Sequence, residues 1–372
     1  MVRNLIVFGT RPEAIKMAIL IKIFKEHKTK FDTRICVTAQ HRELLDQVLL
    51  FFKIEPDYDL DLMRSNQDLH SLTANIIIAI RPILEEFKPH NVFVHGDTTT
   101  SMGAALAAFY SGIKICHVEA GLRTNNKNSP FPEEINRQIT SRLADFHFAP
   151  TETAKQNLIN ENISESDIIV TGNTVIDALY EGRNIIDSNL FKSIEDLKNL
   201  LKRKFILVTS HRRENHGIGL QNIIEALKIV AEKFPEIDIV YSVHPNPNVK
   251  NPIEKQLSGV NNIKILNYQP YEAFVWLMSN CYFIITDSGG IQEEAPSLGK
   301  PVLVLRDNTE RPEVIDTGNA KLVGTNVEKI ISESTRLIED IEYYNTLCTI
   351  SQPYGNGKAS SLIFEFINAK YD

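Results

Sequence analysis

Short apolar runs alternate with longer amphipathic stretches from the first residues of the chain. The apolar runs of the first half predict β-strands at residues 4–8, 33–38, 91–95, 114–118 and 146–149. The stretches between them place apolar residues at helical spacing and predict helices at about 12–25, 42–52, 69–87, 102–110 and 133–144. A strand followed by a helix, repeated in this way, indicates a parallel, doubly wound α/β sheet.

A second series of the same kind follows a charged helical stretch at about 191–203. Its apolar runs predict strands at residues 205–209, 237–243, 263–266, 283–286 and 301–305, with helices between them. A chain of 372 residues is longer than one hydrophobic core usually serves. We therefore predict two Rossmann-like domains facing a central cleft, residues 1–170 and 171–357, with a last helix at about 358–372 that packs back on the first domain.

Composition and charge indicate which classes of protein the chain can belong to. Hydrophobic residues at 43% and charged residues at 23% are ordinary for a globular protein. The formal net charge of −7 argues against a nucleic-acid partner. No run is long enough to span a membrane, and the apolar run at residues 5–8 is too short for a secretion signal, so we expect a cytoplasmic protein. The cysteines lack metal-ligand spacing, and we expect no metal and no cofactor.

Three acidic segments carry the first candidate chemistry: residues 94–100, 117–124 and 129–137. The first two each close an apolar run, and the third opens a helical pattern. In an open α/β sheet these positions are neighbours at the carboxyl edge, where ligands bind. We expect Asp97, Glu119 and Glu133 to converge there, where they would suit acid/base chemistry.

Several turns after predicted strands are suited to anions. Arg11 and Lys16 stand near the start of the first helix, where their charge opposes the helix dipole unless an anion lies between. Residues 286–294 end a strand and open a helix, with Ser288 as a possible cap and two glycines that let a diphosphate approach the free amides. Glu294, further along that helix, could accept hydrogen bonds from ribose hydroxyls.

Two further segments add positive charge after strands. Residues 209–215 place His211 beside Arg212 and Arg213, where they could neutralise a phosphate and protonate a leaving group. Arg306 and Arg311 follow the last strong strand of the second series, and we expect one of them to reach the cleft.

These segments together resemble the non-hydrolysing UDP-N-acetylglucosamine 2-epimerases, which interconvert UDP-GlcNAc and UDP-ManNAc. The likeness runs through almost the whole chain: residues 8–17, 39–42, the three acidic segments, 211–215, 287–298 and 309–313. It implies the glycosyltransferase-B architecture of two Rossmann-like domains. It also implies an isomerase that eliminates UDP from the substrate to give 2-acetamidoglucal. UDP is then added back to this intermediate, and the C2 proton is delivered to the opposite face. The product would supply ManNAc for cell-surface polysaccharide.

The resemblance assigns residues to roles by their matching positions. It implies catalytic roles for Asp97, Glu119, Glu133 and His211, and leaves open which carboxylate serves which face of C2. Contacts to UDP are implied, besides His211, for Arg11, Lys16, Gln269, Phe274, Ser288, Gly289, Gly290, Glu294 and Arg311. It further implies a homodimer and a second UDP-GlcNAc bound as an allosteric activator, at Gln40, Gln67, Glu133, Arg212 and His244.

Other functions stay open at this point. A hydrolysing epimerase that releases ManNAc and UDP shares the intermediate, and product analysis separates it. A retaining glycosyltransferase shares the two domains but needs no C2 chemistry. A metal-dependent hydrolase could use His95, Asp97, His117 and Glu119 as ligands, although histidines packed beneath the carboxylates are the simpler interpretation. A sugar-nucleotide sensor would bind UDP without turnover.

Overall fold

The computed structural model describes residues 1–39, 42–62, 67–309 and 311–372, apart from the side chains of Glu43 and Arg213. The chain forms two compact units: Met1–Glu181 together with Tyr354–Asp372, and Gly182–Pro353. The segments expected in the first domain, 1–170 and 358–372, both belong to the first unit. The division falls at Glu181, inside a helix, because the strand after residue 167 pairs with the first sheet and the helix that follows binds the C-terminal segment through Asp177.

The first unit contains a parallel sheet flanked by helices. Its strands run in the order β3-β2-β1-β4-β5-β6-β7 and are β1 Val2–Phe8, β2 Phe31–Val37, β3 Tyr58–Asp59, β4 Asn91–His95, β5 Lys114–Val118, β6 Phe146–Ala149 and β7 Ile168–Val170. Its helices are α1 Arg11–Glu26, α2 Arg42–Phe52, α3 Leu69–Phe87, α4 Thr99–Tyr110, α5 Glu133–Leu143, α6 Glu152–Asn160 and the first part of α7 Thr174–Ser188.

The second unit repeats this architecture. Its strands run in the order β10-β9-β8-β11-β12-β13 and are β8 Phe205–Thr209, β9 Asp238–Ser242, β10 Ile263–Leu266, β11 Ile284–Thr286, β12 Val302–Val304 and β13 Ala320–Leu322. Its helices, after α7, are α8 Lys192–Leu200, α9 Ile218–Lys233, α10 Pro247–Leu257, α11 Tyr271–Asn280, α12 Gly289–Ser297, α13 Pro312–Asp316, α14 Val327–Glu339 and α15 Ile341–Leu347. The last helix, α16 Ala359–Lys370, belongs to the first unit.

Apolar strand runs bury both faces of each sheet, as parallel sheets require. In β1, Leu5 to Phe8 are completely buried, and in β8 the run Ile206 to Val208 is buried in the same way. These uninterrupted runs made the strands readable from the sequence, and the predicted α/β fold with two Rossmann-like domains is confirmed. The strands β3, β7 and β13 were missed because segments of two or three residues at a sheet edge carry too little pattern.

The C-terminal helix α16 is fixed to the first unit at its start and near its middle. Its first amides, of Ala359 and Ser360, donate to the buried carboxylate of Asp177 in α7, at 3.2 and 2.7 Å. Further along, the Phe364 ring packs edge-on against Phe24 of α1, with ring centroids 5.3 Å apart. The carboxylate replaces a local cap, because the N-cap residue Lys358 supplies none.

Across the described residues, the helices are too short or too polar to cross a bilayer.

Candidate active site

In each sheet the order of the strands reverses at one point, and candidate residues follow the strands on either side of it. In the first unit the strand order reverses between β1 and β4, and in the second between β8 and β11. Loops that leave adjacent parallel strands on opposite sides of the sheet open a crevice beyond the strand ends. Arg11 and Asp97 follow the first pair of strands, and His211 and Ser288 follow the second pair.

Glu13 ties together the two loops at the edge of the first sheet. It forms a capping box with Thr10 at the start of α1, and its Oε2 accepts from the amides of Gly9 and Thr10 at 3.0 and 2.8 Å. Its Oε1 accepts from the hydroxyls of Thr98, at 2.7 Å, and Ser101, at 3.1 Å, in the loop after β4 and in α4. Burial raises the pKa of Glu13, and these hydrogen bonds oppose the rise.

Asp97 is held by the helix that the third acidic segment opens. The guanidinium of Arg137 forms an ion pair with its carboxylate, and the amide of Asn136 donates to its backbone carbonyl at 3.0 Å. Both partners lie in α5. A carboxylate paired with arginine is held in one orientation, as a proton acceptor requires.

Glu119 occupies the next loop along the same edge. Its backbone has φ +61°, an uncommon conformation for a residue with a side chain. Its carboxylate forms an ion pair with Lys16 and accepts a hydrogen bond of 2.7 Å from the side-chain amide of Asn173. Strands β4 and β5 are aligned with His95 opposite Val118, so Asp97 and Glu119 leave the sheet side by side.

Two buried histidines lie beneath these carboxylates. His95 Nε2 is 3.8 Å from Glu119 Oε2, and His117 Nε2 is 2.8 Å from the carbonyl of Gly96. Burial lowers the pKa of His95 to about 4 and that of His117 to about 3, so both imidazoles are neutral near pH 7. No group of three or more His, Cys, Asp or Glu side chains that could hold a metal ion occurs among the described residues.

Glu133 is the first residue of α5 and is half-buried. It precedes Asn136 and Arg137 by three and four positions, so it lies on the helix face that contacts Asp97. Its neighbour Glu134 has a different place: fully buried, it accepts from the backbone amides of Thr124 and Asn125, each at 3.1 Å. Glu134 therefore fixes the loop of the second acidic segment.

In the second unit, the buried carboxylate of Asp287 ties the two edge loops together. It follows β11 and accepts from the backbone amides of His211 and Arg212 at 3.0 Å and from the side-chain amide of Asn215 at 2.9 Å. The His211 Nδ1 lies 3.4 Å from the same carboxylate. The loop after β8 is thus held against the loop after β11.

The start of α12 places helix amides beside a buried guanidinium. Ser288 is its N-cap residue, but its hydroxyl makes no capping hydrogen bond, contrary to expectation. Arg311 is buried and bonded to Glu293 at 2.7 Å. Its guanidinium lies against Gly289, where a Cβ atom would stand 2.5 Å from an Arg311 nitrogen. Helix amides and a guanidinium therefore meet at Gly289, where the absence of a side chain leaves room for Arg311.

His211 and His244 stack at the same edge, with ring centroids 5.6 Å apart. Burial lowers the pKa of His211, and the Asp287 carboxylate opposes the decrease. Burial also lowers the pKa of His244, and the neighbouring His211 adds to that decrease. Two uncharged imidazoles can pack face to face, and a bound anion would favour protonation of either one.

The remaining candidates are spread over both units. Gln269 and Phe274 are half-buried, in the loop before α11 and within α11, and Glu294 is buried in α12. Arg306 pairs with Glu214 at 2.8 Å. Of the residues implied for an activator site, Gln67 and Arg212 are half-buried, and Gln40 lies outside the described residues.

Four residues that sequence reasoning left without a role organise these edges: Glu13, Asn173, Arg137 and Asp287. The spacing of Thr10 and Glu13 was a readable capping-box signal. The partners of the other three come from distant segments, and no local sequence pattern predicts them.

Comparisons with known proteins agree with this architecture. A sequence model of the UDP-N-acetylglucosamine 2-epimerase family matches residues 24–368. A UDP-N-acetylglucosamine 2-epimerase of Yersinia pestis is 53% identical over 370 residues, which covers 97% of each chain. The crystal structure of UDP-GlcNAc 2-epimerase from Neisseria meningitidis bound to UDP-GlcNAc superposes with a TM-score of 0.93 at 51% identity and covers 99% of this chain and 100% of that one.

An S. aureus protein, MnaA, in a co-structure with UDP, gives a TM-score of 0.91 at 43% identity, covering 100% of this chain and 97% of that one. The match extends over both units and therefore includes the sheet edges described above. The chain belongs to the UDP-N-acetylglucosamine 2-epimerase family, a family of isomerases.

Proposed function

We propose that this protein interconverts UDP-GlcNAc and UDP-ManNAc without releasing free sugar. The observation that carries the proposal is the pair of carboxylates at one sheet edge, Asp97 held by Arg137 and Glu119 held by Lys16 and Asn173. Both stand where a ligand of an α/β sheet binds, and inversion at a carbon requires proton transfer on two faces. The ligands of the related structures, UDP-GlcNAc and UDP, agree with this chemistry.

The second unit is proposed to hold the uridine diphosphate. The Ser288 hydroxyl and the backbone amides of Gly289 and Gly290 lie at the start of α12, with the Arg311 guanidinium beside them, while the Ser288 amide donates to the Thr286 hydroxyl. Glu294 is assigned to the ribose, and Gln269 and Phe274 to the uracil end. Arg11 and Lys16, in α1 of the first unit, are assigned to the same substrate.

In the first half-reaction the bond between C1 and the diphosphate oxygen breaks, and UDP leaves with the electron pair. Positive charge develops at C1, and the carboxylates of the first unit stabilise it. One carboxylate then accepts the C2 proton, and the electrons of the C–H bond form the C1–C2 double bond of 2-acetamidoglucal. His211, beside the diphosphate turn, stabilises the leaving group by hydrogen bonding or protonation.

The second half-reaction reverses these steps on the other face of C2. A protonated group delivers its proton to C2, and a diphosphate oxygen of the retained UDP forms the new bond to C1. Asp97, Glu119 and Glu133 are the proposed proton carriers, and the assignment of each to one face is left to experiment. Because the UDP released in the first half-reaction is the group that adds back to C1 in the second, no water enters the products.

Proton NMR of UDP-GlcNAc incubated with the protein in D2O tests this proposal directly. The expected result is a mixture of UDP-GlcNAc and UDP-ManNAc, both deuterated at C2, with no free sugar beyond the level of a protein-free control. Free ManNAc formed together with UDP would show the hydrolysing reaction instead. Binding of UDP without exchange at C2 would indicate a sensor.

Four further features remain predictions from the sequence: a cytoplasmic location, a homodimer, activation by a second UDP-GlcNAc, and supply of ManNAc for cell-surface polysaccharide. Activation is tested by the rate with UDP-ManNAc as substrate. A rate that does not depend on added UDP-GlcNAc contradicts it.

A further inference from the structure

Hydrogen bonds of its side chain and its backbone amide fix Asn173 between a catalytic candidate and the protein backbone. It stands between β7 and α7. Its side-chain nitrogen donates to Glu119 Oε2 at 2.7 Å, its side-chain oxygen accepts from the Val175 amide at 3.1 Å, and its backbone amide donates to the Tyr354 carbonyl at 2.7 Å. The residue is almost completely buried.

The bond to Val175 determines which way the side-chain amide points. An asparagine side chain can present either its oxygen or its nitrogen to a neighbour. Here the oxygen caps the first turn of α7, as asparagine commonly does at a helix start. The nitrogen is therefore committed to the Glu119 carboxylate, and the same geometry is incompatible with an oxygen facing Glu119.

The backbone of Asn173 is held by a close crossing of two chain segments. A Cβ atom on Gly172, at φ +84°, would lie 2.8 Å from the Tyr354 carbonyl oxygen and 3.0 Å from Gly355. Gly355, at φ +95°, would meet Gly172 in the same way at 3.0 Å. Only glycine permits both the conformation and the approach. The crossing brings Tyr354 within reach of Asn173 and limits displacement of the bond to Glu119.

We propose that Asn173 is a positioning residue of the epimerase reaction, which acts through Glu119. The inference rests on the proposed function, because it matters only if Glu119 carries a proton. A hydrogen-bond donor on the carboxylate favours its ionised form, together with the Lys16 ion pair on the same oxygen. It also holds the carboxylate in one orientation while the Glu119 backbone keeps its uncommon conformation.

Two substitutions at Asn173 separate this role from helix capping. Ser and Asp both cap helices well, so Asn173→Ser and Asn173→Asp keep the bond to the Val175 amide. Asn173→Ser removes the donor to Glu119. Asn173→Asp places a second carboxylate within hydrogen-bonding distance of it, and two such groups cannot both stay ionised.

The measurement is the pH dependence of turnover for the full chain, by NMR exchange at C2. We expect Asn173→Ser to lower turnover about tenfold and to move the acid limb of the profile upward by roughly one pH unit. Asn173→Asp should lower turnover more and move the limb further. In the Glu119→Gln background, Asn173→Ser should cause no further loss of turnover, because the carboxylate that Asn173 positions is already absent.

Asn157→Ala is the matched control. Asn157 donates to the carbonyl of Gly121, at 2.9 Å, in the same loop as Glu119 but not to its carboxylate. We expect this variant to keep the wild-type pH profile.

The outcomes separate failure of the positioning role of Asn173 from failure of the proposed function. If wild-type protein shows no exchange at C2, the proposed function fails. If wild-type protein exchanges C2 while Asn173→Ser and Asn173→Asp keep its pH profile, the positioning role alone is overturned. An additive loss in the Glu119→Gln background would also overturn it.

Discussion

Both units join the two loops at their sheet edge with one buried carboxylate, but the groups around it differ. In the first unit Glu13 binds the loops after β1 and β4, and the edge carries further carboxylates, Asp97 and Glu119, each paired with a cation. In the second unit Asp287 binds the loops after β8 and β11, and the edge carries a helix N-terminus and Arg311.

The comparison shows how one architecture supports two chemistries. The sheet determines where loops emerge, and the loop residues determine what they do. One edge is suited to proton transfer and the other to an anion. Substitutions on the first edge should therefore mainly affect turnover, and substitutions on the second should mainly affect UDP binding.

Glu119→Gln should have the largest effect. The amide cannot accept a proton, so turnover should fall by about 10²- to 10⁴-fold while UDP affinity stays unchanged. C2 deuterium exchange, followed separately from UDP-GlcNAc and from UDP-ManNAc, measures turnover, and titration calorimetry measures UDP binding. Comparison with Asp97→Asn assigns the two faces of C2. A parallel loss of UDP binding would make Glu119 a structural residue instead.

The two buried carboxylates provide a direct test of the comparison. Glu13→Gln and Asp287→Asn each place an amide group where only hydrogen-bond acceptors fit, and each should lower the free energy of unfolding by about 3 kcal/mol. Glu13→Gln should mainly slow turnover, and Asp287→Asn should mainly weaken UDP binding.

Chemical denaturation and calorimetry of the full chain measure both effects. Asp145→Asn is the control, since Asp145 accepts from the Ile115 amide at the start of β5, at the opposite edge of the sheet. The comparison is wrong if Asp287→Asn slows turnover and leaves UDP affinity unchanged.

Arg311→Lys should have a smaller effect, confined to the second unit. Lysine keeps a positive charge beside Glu293 but lacks the planar group that binds a phosphate at two points. UDP affinity should fall about tenfold, as measured by calorimetry. Arg306→Lys is the matched control, because Arg306 pairs with the half-exposed Glu214 on the surface. Equal losses in the two variants would contradict an anion site at α12.

The smallest effect is a change in the pH dependence of stability. The pKa values of His95 and His117 in the folded protein, about 4 and about 3, lie below that of an exposed histidine. Below about pH 6.5 the unfolded chain therefore binds protons that the folded chain does not, and stability decreases as the pH falls towards 4. His117→Asn should make this decrease shallower by about 1 kcal/mol per pH unit. Denaturation midpoints between pH 4 and 7 test this, and His70→Asn, at a fully exposed position, is the control.

Most of the fold and the location of the candidate residues could be predicted from the sequence. The apolar runs of β1 and β8 and the helix patterns after them repeat over short distances, so they are readable locally. The loops after those strands were identified for the same reason. The short edge strands β3 and β7 were not, because pairing with a neighbour, rather than their own pattern, makes them strands.

The partners of the candidate side chains could not be predicted in this way. Lys16 stays assigned to the substrate by resemblance, but its ion pair with Glu119, 103 positions away, had no local signal in the sequence. The convergence of carboxylates was expected, but their cations and the donor Asn173 were not.

The sequence by itself therefore determined most of the elements, their order, the family and the strand ends that carry charged groups. Only the tertiary structure decided which carboxylates are buried supports, such as Glu13 and Asp287, and which are paired at the sheet edge, such as Asp97 and Glu119. The physical reason is the distance along the chain over which each interaction acts. Periodicity and helix caps act over a few residues, whereas burial, ion pairing and the crossing at Gly172 and Gly355 depend on segments that meet only when the chain has folded.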